Sequence, residues 1–181
     1  EKVRLLKAFG AEVIITPTAV PADHPDSYTS MAKRIAAETP NAVLANQFYN
    51  QVNPQAHYDT TGPELWEQTE GRITHFVAGA GTGGTSATIG RYLRFQGTAT
   101  RLAVVDPERS VFCDYYANGD ATVTAEGGSD VEGIGRPRVE PSFVPGVIDR
   151  MIRVPNAASY AAMRVLERLV GRRYGGSTGT N

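Results

Sequence analysis

The chain has 181 residues, of which 41% are hydrophobic and 20% charged, with a formal net charge of −1. That is the balance of an ordinary globular protein long enough to bury a core of its own. The mixed charges offer no electrostatic reason to expect a nucleic-acid partner, and no apolar run approaches the ~20 residues of a membrane-spanning helix. The single cysteine, Cys113, excludes an internal disulfide and fits a reducing cytoplasm.

In chain order, residues 2–9 carry Val3, Leu5, Leu6, Ala8 and Phe9 and predict a short helix stopped at Gly10. The β-branched run Ala11–Thr16, closed by Pro17, predicts a buried strand. After a proline-bearing loop, Asp26 or Ser27 caps a helix to about Glu38, with Met31, Ile35 and Ala36 inward and Lys33 and Arg34 outward. Ala42–Ala45 reads as a short strand, and a helix is expected from about Pro54 to Gln68. Then Ile73–Ala78 reads as a buried strand, Gly79–Gly84 as a tight turn, Thr85–Phe95 as a helix and Arg101–Val105 as a second strand, ending at Asp106-Pro107. Strand, helix and strand at this spacing form a parallel crossover unit. Residues 117–146 are rich in Gly, Pro and charge and read as irregular. Asn156 caps a last helix, Ala157–Val170, with Tyr160, Met163, Leu166 and Val170 on one stripe and Gly171 as its stop. The fold class is α/β, a three-layer αβα sandwich with a mostly parallel sheet.

The chemistry concentrates in Gly79-Ala80-Gly81-Thr82-Gly83-Gly84-Thr85. Glycines let the backbone turn sharply and bring its N–H groups close to an anion, and the helix behind adds partial positive charge. Thr82 and Thr85 add hydroxyl donors, so the loop predicts phosphate binding over a bare βα turn. Gly79, Gly81 and Gly84 also satisfy G-x-G-x-x-G, with Asp106 near the place of a ribose-binding acid. An NAD(P)-binding Rossmann oxidoreductase domain is therefore the alternative on local pattern. No Lys follows the glycines, so this is not a Walker A loop. His24, His57 and His75 have no metal-like spacing with Cys113, no metal site is expected, and no serine lies in G-x-S-x-G. His57 reads as fixing its helix start.

Several further segments resemble the cysteine synthase/cystathionine β-synthase family. Gly81-Thr82-Gly83-Gly84-Thr85 is similar to its phosphate cup. Asn46-Gln47-Phe48 through Asn53-Pro54 resembles its Q-F/Y…N-P segment, and His57 through Glu64 its H-x-x-T-T-G-P-E stretch. Val105-Asp106-Pro107-Glu108, Glu132-Gly133-Ile134-Gly135 and Gly175-Gly176-Ser177-Thr178-Gly179 resemble V-D-P-E, E-G-I-G and G-G-S-S/T-G. The resemblance implies the tryptophan synthase β-like fold of type II pyridoxal-phosphate enzymes, incomplete here. It also implies that Gly81, Thr82, Gly83, Gly84 and Thr85 hold the phosphate of pyridoxal 5'-phosphate and that Ser177 faces the ring nitrogen. Gln47, Phe48 and Gly133 would lie on the substrate side. Taken singly, Ser177 could instead cap a helix and Gln47 satisfy a buried backbone group.

By the same resemblance the parent protein is a β-replacement or β-elimination enzyme of the cysteine synthase or cystathionine β-synthase type, a lyase or transferase. Its substrate would be an amino acid of the serine, O-acetylserine or cysteine type, with a thiol or sulfide. Cysteine desulfhydration by the same family is the alternative, and a non-catalytic lobe is another. A cytoplasmic homodimer is implied. The chemistry needs a Schiff-base lysine. Only Lys2, Lys7 and Lys33 occur, none in the family's S-x-K-D/N context. The chain is therefore expected to be cut at both ends, to hold the end of the small lobe (1–54) and most of the large lobe (55–181), and to be inactive alone. Arg136-Pro137-Arg138 departs from the aromatic–acidic pair typical of cystathionine β-synthases. The two arginines either favour anionic substrates or are simply solvated.

Overall fold

The computed structural model describes residues 2–17, 20, 21 and 23–181, and the chain divides into two compact units, Glu1–Ala45 and Asn46–Asn181. The first unit holds α1 (Lys2–Ala8) and α2 (Tyr28–Glu38). Ser27, rather than Asp26, caps α2, its hydroxyl accepting from the Ser30 N–H at 3.1 Å. Neither helix buries a residue. The two strands expected here do not form. Ala11–Thr16 and Ala42–Ala45 lie outside any ladder, with Ile15 80% and Val43 91% exposed. β-branched residues favour an extended backbone, but a strand also needs a neighbour for its N–H and C=O groups. Among the described residues every strand lies in the second unit.

The second unit is built on a three-stranded parallel sheet in the order β1 (His75–Gly79), β2 (Arg101–Pro107), β3 (Arg150–Val154). Register places Phe76 beside Leu102, Ala78 beside Val104, and Val104 beside Met151. Those side chains therefore share one face. Phe76, Leu102, Val104 and Met151 pack with Phe112, Phe143 and Ile148 into the core. Leu102 through Pro107 are all buried, so both faces of β2 are covered, as a parallel strand between helical layers requires. Helices α5 (Gly84–Phe95) and α8 (Gly176–Thr180) contact β2, and α6 (Phe112–Asn118) contacts β3.

Residues 52–68 wind as α3 (Val52–Ala56), a turn of π-helix (His57–Thr61) and α4 (Gly62–Gln68), one helical path where a single regular helix was expected. After β3, α7 (Asn156–Val170) ends at Gly171 in the left-handed conformation (φ 69°), the stop its sequence predicts. Asn156 is not the cap: it is the first helical residue, after Pro155. Its amide donates instead to Asp130 Oδ2 at 2.9 Å. α8 docks on α7 through buried hydroxyls, Thr180 Oγ1 donating to Ser159 Oγ at 2.9 Å.

Candidate functional site

The phosphate-loop candidate forms the connection from β1 to α5. Gly83 takes φ +84°, which only glycine adopts at little cost. It must also be glycine sterically, because a Cβ there would come 2.6 Å from the Phe143 Cα and N. Cβ atoms at Gly81 and Gly84 would reach the Gly133 carbonyl at 2.9 Å and Asn53 Oδ1 at 2.6 Å. The loop is thus a cradle lined by backbone, narrowed from behind by neighbours that any side chain would strike. Ahead of it lies the first turn of α5, whose N–H groups find no partner within the helix.

The hydroxyls are fixed in place. Thr82 Oγ1 accepts from the Gly84 N–H at 3.1 Å and from Asn53 Nδ2 at 3.3 Å. Asn53 Nδ2 also donates to the Gln47 carbonyl at 3.0 Å, tying the 46–54 segment to the loop. Thr85 Oγ1 lies 3.1 Å from His57 Nε2, and His57 Nδ1 lies 2.9 Å from Thr61 Oγ1. With the proton on Nε2, His57 donates to Thr85 and accepts from Thr61, leaving the Thr85 O–H to donate to an anion. His57 therefore sits inside the helical path rather than fixing its start.

Around the cradle the structure gathers most of the residues singled out in the sequence. Gly133 (φ +92°) turns its carbonyl toward Gly81. The same loop is pinned by the Gly135 N–H donating to the Ala80 carbonyl at 2.7 Å. Phe48 is half-buried beneath the Arg136 guanidinium, whose carbon lies 4.5 Å from the ring centroid. Gln47 is exposed, attached through its carbonyl. Ser177 lies farther round, in the first turn of α8, its carbonyl accepting from Asn181 Nδ2 at 2.7 Å. A Cβ on the adjacent Gly176 would come 3.4 Å from Val131, so α8 borders the loop that carries Gly133. Lys2, Lys7 and Lys33 lie exposed on α1 and α2 of the first unit.

Asp106 is not placed to meet a ribose. It is fully buried, and Oδ2 accepts from the Cys113 N–H at 2.9 Å, holding the start of α6. Burial raises its carboxyl above the ordinary value, against the lowering pull of Ser110, the Cys113 N–H and Arg153. The dinucleotide pattern in the sequence is therefore a coincidence of local glycines. Arg136 and Arg138 are not simply solvated: both guanidiniums face Glu140 Oε1, with Nε at 2.7 and 3.7 Å. Asn53, Phe143 and Glu140 are the site neighbours that sequence reading passed over. Only Asn53 had a signal, its place in the N-P pair.

The donor set suits the phosphate of pyridoxal phosphate: a cradle that any Cβ would fill, two positioned hydroxyls and a helix N-terminus behind them. Among the described residues no group of three or more His, Cys, Asp or Glu side chains could hold a metal ion, and no helix is long and apolar enough to cross a membrane.

Known proteins resemble this chain over most of its length. L-cysteine desulfhydrase Cds1 of Mycobacterium tuberculosis is 49% identical over 156 residues, covering 86% of this chain and 39% of the relative. Cystathionine beta-synthase of Apis mellifera is 39% identical over 179 residues, covering 99% of this chain and 35% of the relative. The crystal structure of O-acetylserine dependent cystathionine beta-synthase from Helicobacter pylori superposes with a TM-score of 0.82 at 34% identity, over 99% of this chain and 55% of that one. The chain thus spans well under half the length of these two curated relatives, in the α/β fold that the parallel sheet announces. The family model for pyridoxal-phosphate dependent enzymes matches residues 1–181, and the chain belongs to that family.

Proposed function

We propose that this chain is part of an enzyme of sulfur amino-acid metabolism that performs β-replacement or β-elimination on a small amino acid of the serine, O-acetylserine or cysteine type. A thiol or sulfide would be the second reactant in replacement. The observation that carries this is the backbone cradle at Gly81–Thr85, narrowed by Gly133, Phe143 and Asn53. Elimination has specific support, since the relative matched at 49% identity is named a cysteine desulfhydrase.

In this reading the backbone at Gly81, Gly83 and Gly84 and the hydroxyls of Thr82 and Thr85 hold the cofactor phosphate. Ser177 would stand toward the ring nitrogen, where a neutral hydroxyl in place of a carboxylate would leave that nitrogen largely unprotonated. Gln47, Phe48 and Gly133 line the substrate side. When bound, pyridoxal phosphate supplies an electron sink for the substrate α-carbon. The lysine that such chemistry needs would come from outside residues 1–181, leaving this stretch inactive by itself. The end of a small lobe (1–54), most of a large lobe (55–181), a homodimer and a cytoplasmic location go with the same reading.

Borohydride reduction of the full-length protein, followed by peptide mapping, tests it. A cofactor adduct on a lysine outside residues 1–181 is the expected result. An adduct on Lys2, Lys7 or Lys33, or no adduct in a cofactor-loaded protein, would overturn it.

A further inference from the structure

The Arg136-Pro137-Arg138 segment follows the loop that bears Gly133, and its geometry is more constrained than a solvent-facing loop requires. The Arg136 N–H donates to Ser110 Oγ at 3.0 Å and its carbonyl accepts from the Val111 N–H at 3.0 Å. The preceding residue is tied to Ala80 by the Gly135 N–H. The backbone of Arg136 is thus fastened to the β2–α6 connection on one side and to the start of the phosphate loop on the other.

Its side chain is fastened as well. Nε donates to Glu140 Oε1 at 2.7 Å, and Glu140 is only 1% exposed. A carboxylate taken out of water in this way holds its half-buried guanidinium partner, because the carboxylate has no solvent to replace it. Arg138 Nε stands 3.7 Å from the same oxygen. With Nε held, the Arg136 guanidinium is kept over the Phe48 ring, its carbon 4.5 Å from the centroid. A planar cation over an aromatic face is attracted by the ring quadrupole.

We infer that Arg136, held by the buried Glu140, is a positioning residue that locks the Phe48 ring and so sets the width of the site on its substrate side. The inference rests on the proposed substrate-side place of Phe48. One loop then serves two ends: Gly133 narrows the cradle behind Gly81, and Arg136 holds Phe48. A ring that cannot swing selects amino acids by the bulk of the β-substituent, so loosening it weakens binding and discrimination without touching the groups that move protons.

The test uses the full-length, cofactor-loaded protein with serine, O-acetylserine and cysteine, comparing wild type, Arg136→Lys, Phe48→Ala and the double variant. Lysine keeps the charge but loses the planar stack. Arg136→Lys is expected to raise KM for the amino acid about fivefold, the worth of one partly exposed cation–π contact. Its kcat should stay within about twofold, the signature of lost binding rather than lost chemistry. Phe48→Ala should raise KM at least as much, and the double variant should be no worse than Phe48→Ala alone. A urea-unfolding cycle on the same four proteins reads the Phe48–Arg136 coupling without turnover, and should show the pair as non-additive. If Phe48→Ala leaves KM unchanged, the substrate-side reading of Phe48 fails and the inference falls with it. If Phe48→Ala raises KM while Arg136→Lys does not, or the two effects add, the inference alone is overturned. Glu140→Gln should shift KM in the same direction as Arg136→Lys; should it fail to fold, the lysine variant still decides the matter.

Discussion

The phosphate cradle makes a quantitative claim at Gly83. An alanine there must hold φ near +84° and place its Cβ 2.6 Å from the Phe143 backbone. The left-handed conformation costs about 1–2 kcal/mol for a residue with a Cβ. Phe143 cannot yield easily, since its ring stacks on Phe112 at 4.2 Å between centroids inside the core. Overpacking of that kind costs about 1–3 kcal/mol more. Gly83→Ala should therefore lose about 3 kcal/mol, which at a urea slope of ~2 kcal/mol per molar lowers the midpoint by ~1.5 M. Two controls separate the causes. At Gly97 the φ is +64° with open space around it, so Gly97→Ala carries strain alone, about 1 kcal/mol. At Gly81 a Cβ meets the Gly133 carbonyl at 2.9 Å without a positive φ, so Gly81→Ala carries contact alone. The sole tryptophan, Trp66, stands in α4 of the same unit and reports the transition by fluorescence. Equal midpoints for Gly83→Ala and Gly97→Ala would show that Phe143 does not close the cradle.

Three further outcomes follow from buried and paired groups. The raised Asp106 carboxyl contributes stability below its unfolded value of about 4 and loses it as pH climbs through the folded value. Asp106→Asn should accordingly gain on wild type as pH rises above the unfolded value of about 4, and urea midpoints with no such trend would refute the burial. Asp149 is lowered first by the Leu102 N–H and then by Arg94, so its contribution is present at neutral pH and lost as pH falls through the folded value. Asp149→Asn should cost about 1.5–3 kcal/mol at neutral pH, the worth of a hydrogen bond to a charged group. Circular dichroism against acid should show that deficit shrinking below about pH 4. The Cys113 thiol is pushed up to about 11 by burial and by Asp106. Alkylation by iodoacetamide near pH 8 should then run roughly a hundredfold slower in the native protein than in urea; equal rates would contradict the buried environment.

By itself the sequence determined the features whose causes are local. A β-rich run, a glycine cluster and an amphipathic stretch prescribe strand, turn and helix through residues adjacent in the chain, so β1, the cradle, α5 and β2 appear where expected. Ser27 and Gly171 likewise act within one helical turn of themselves. The similarity of the 46–64, 132–135 and 175–179 segments to the β-family enzymes added the cofactor. Tertiary structure decided what depends on partners distant in sequence. Ala11–Thr16 and Ala42–Ala45 have strand composition but join no ladder. β3 does form, although Arg150 and Arg153 interrupt its apolar character, because β2 supplies a neighbour. Asp106 fits the rival dinucleotide pattern as a ribose ligand until burial turns its carboxylate onto α6. Arg136 reads either as a charge for an anionic substrate or as a solvated one until Glu140 and Phe48, 4 and 88 positions away, close on its two sides. A hydrogen-bonded ladder, a desolvated carboxylate and a stacked guanidinium are all properties of pairs, and the pairing is set only when the chain has folded.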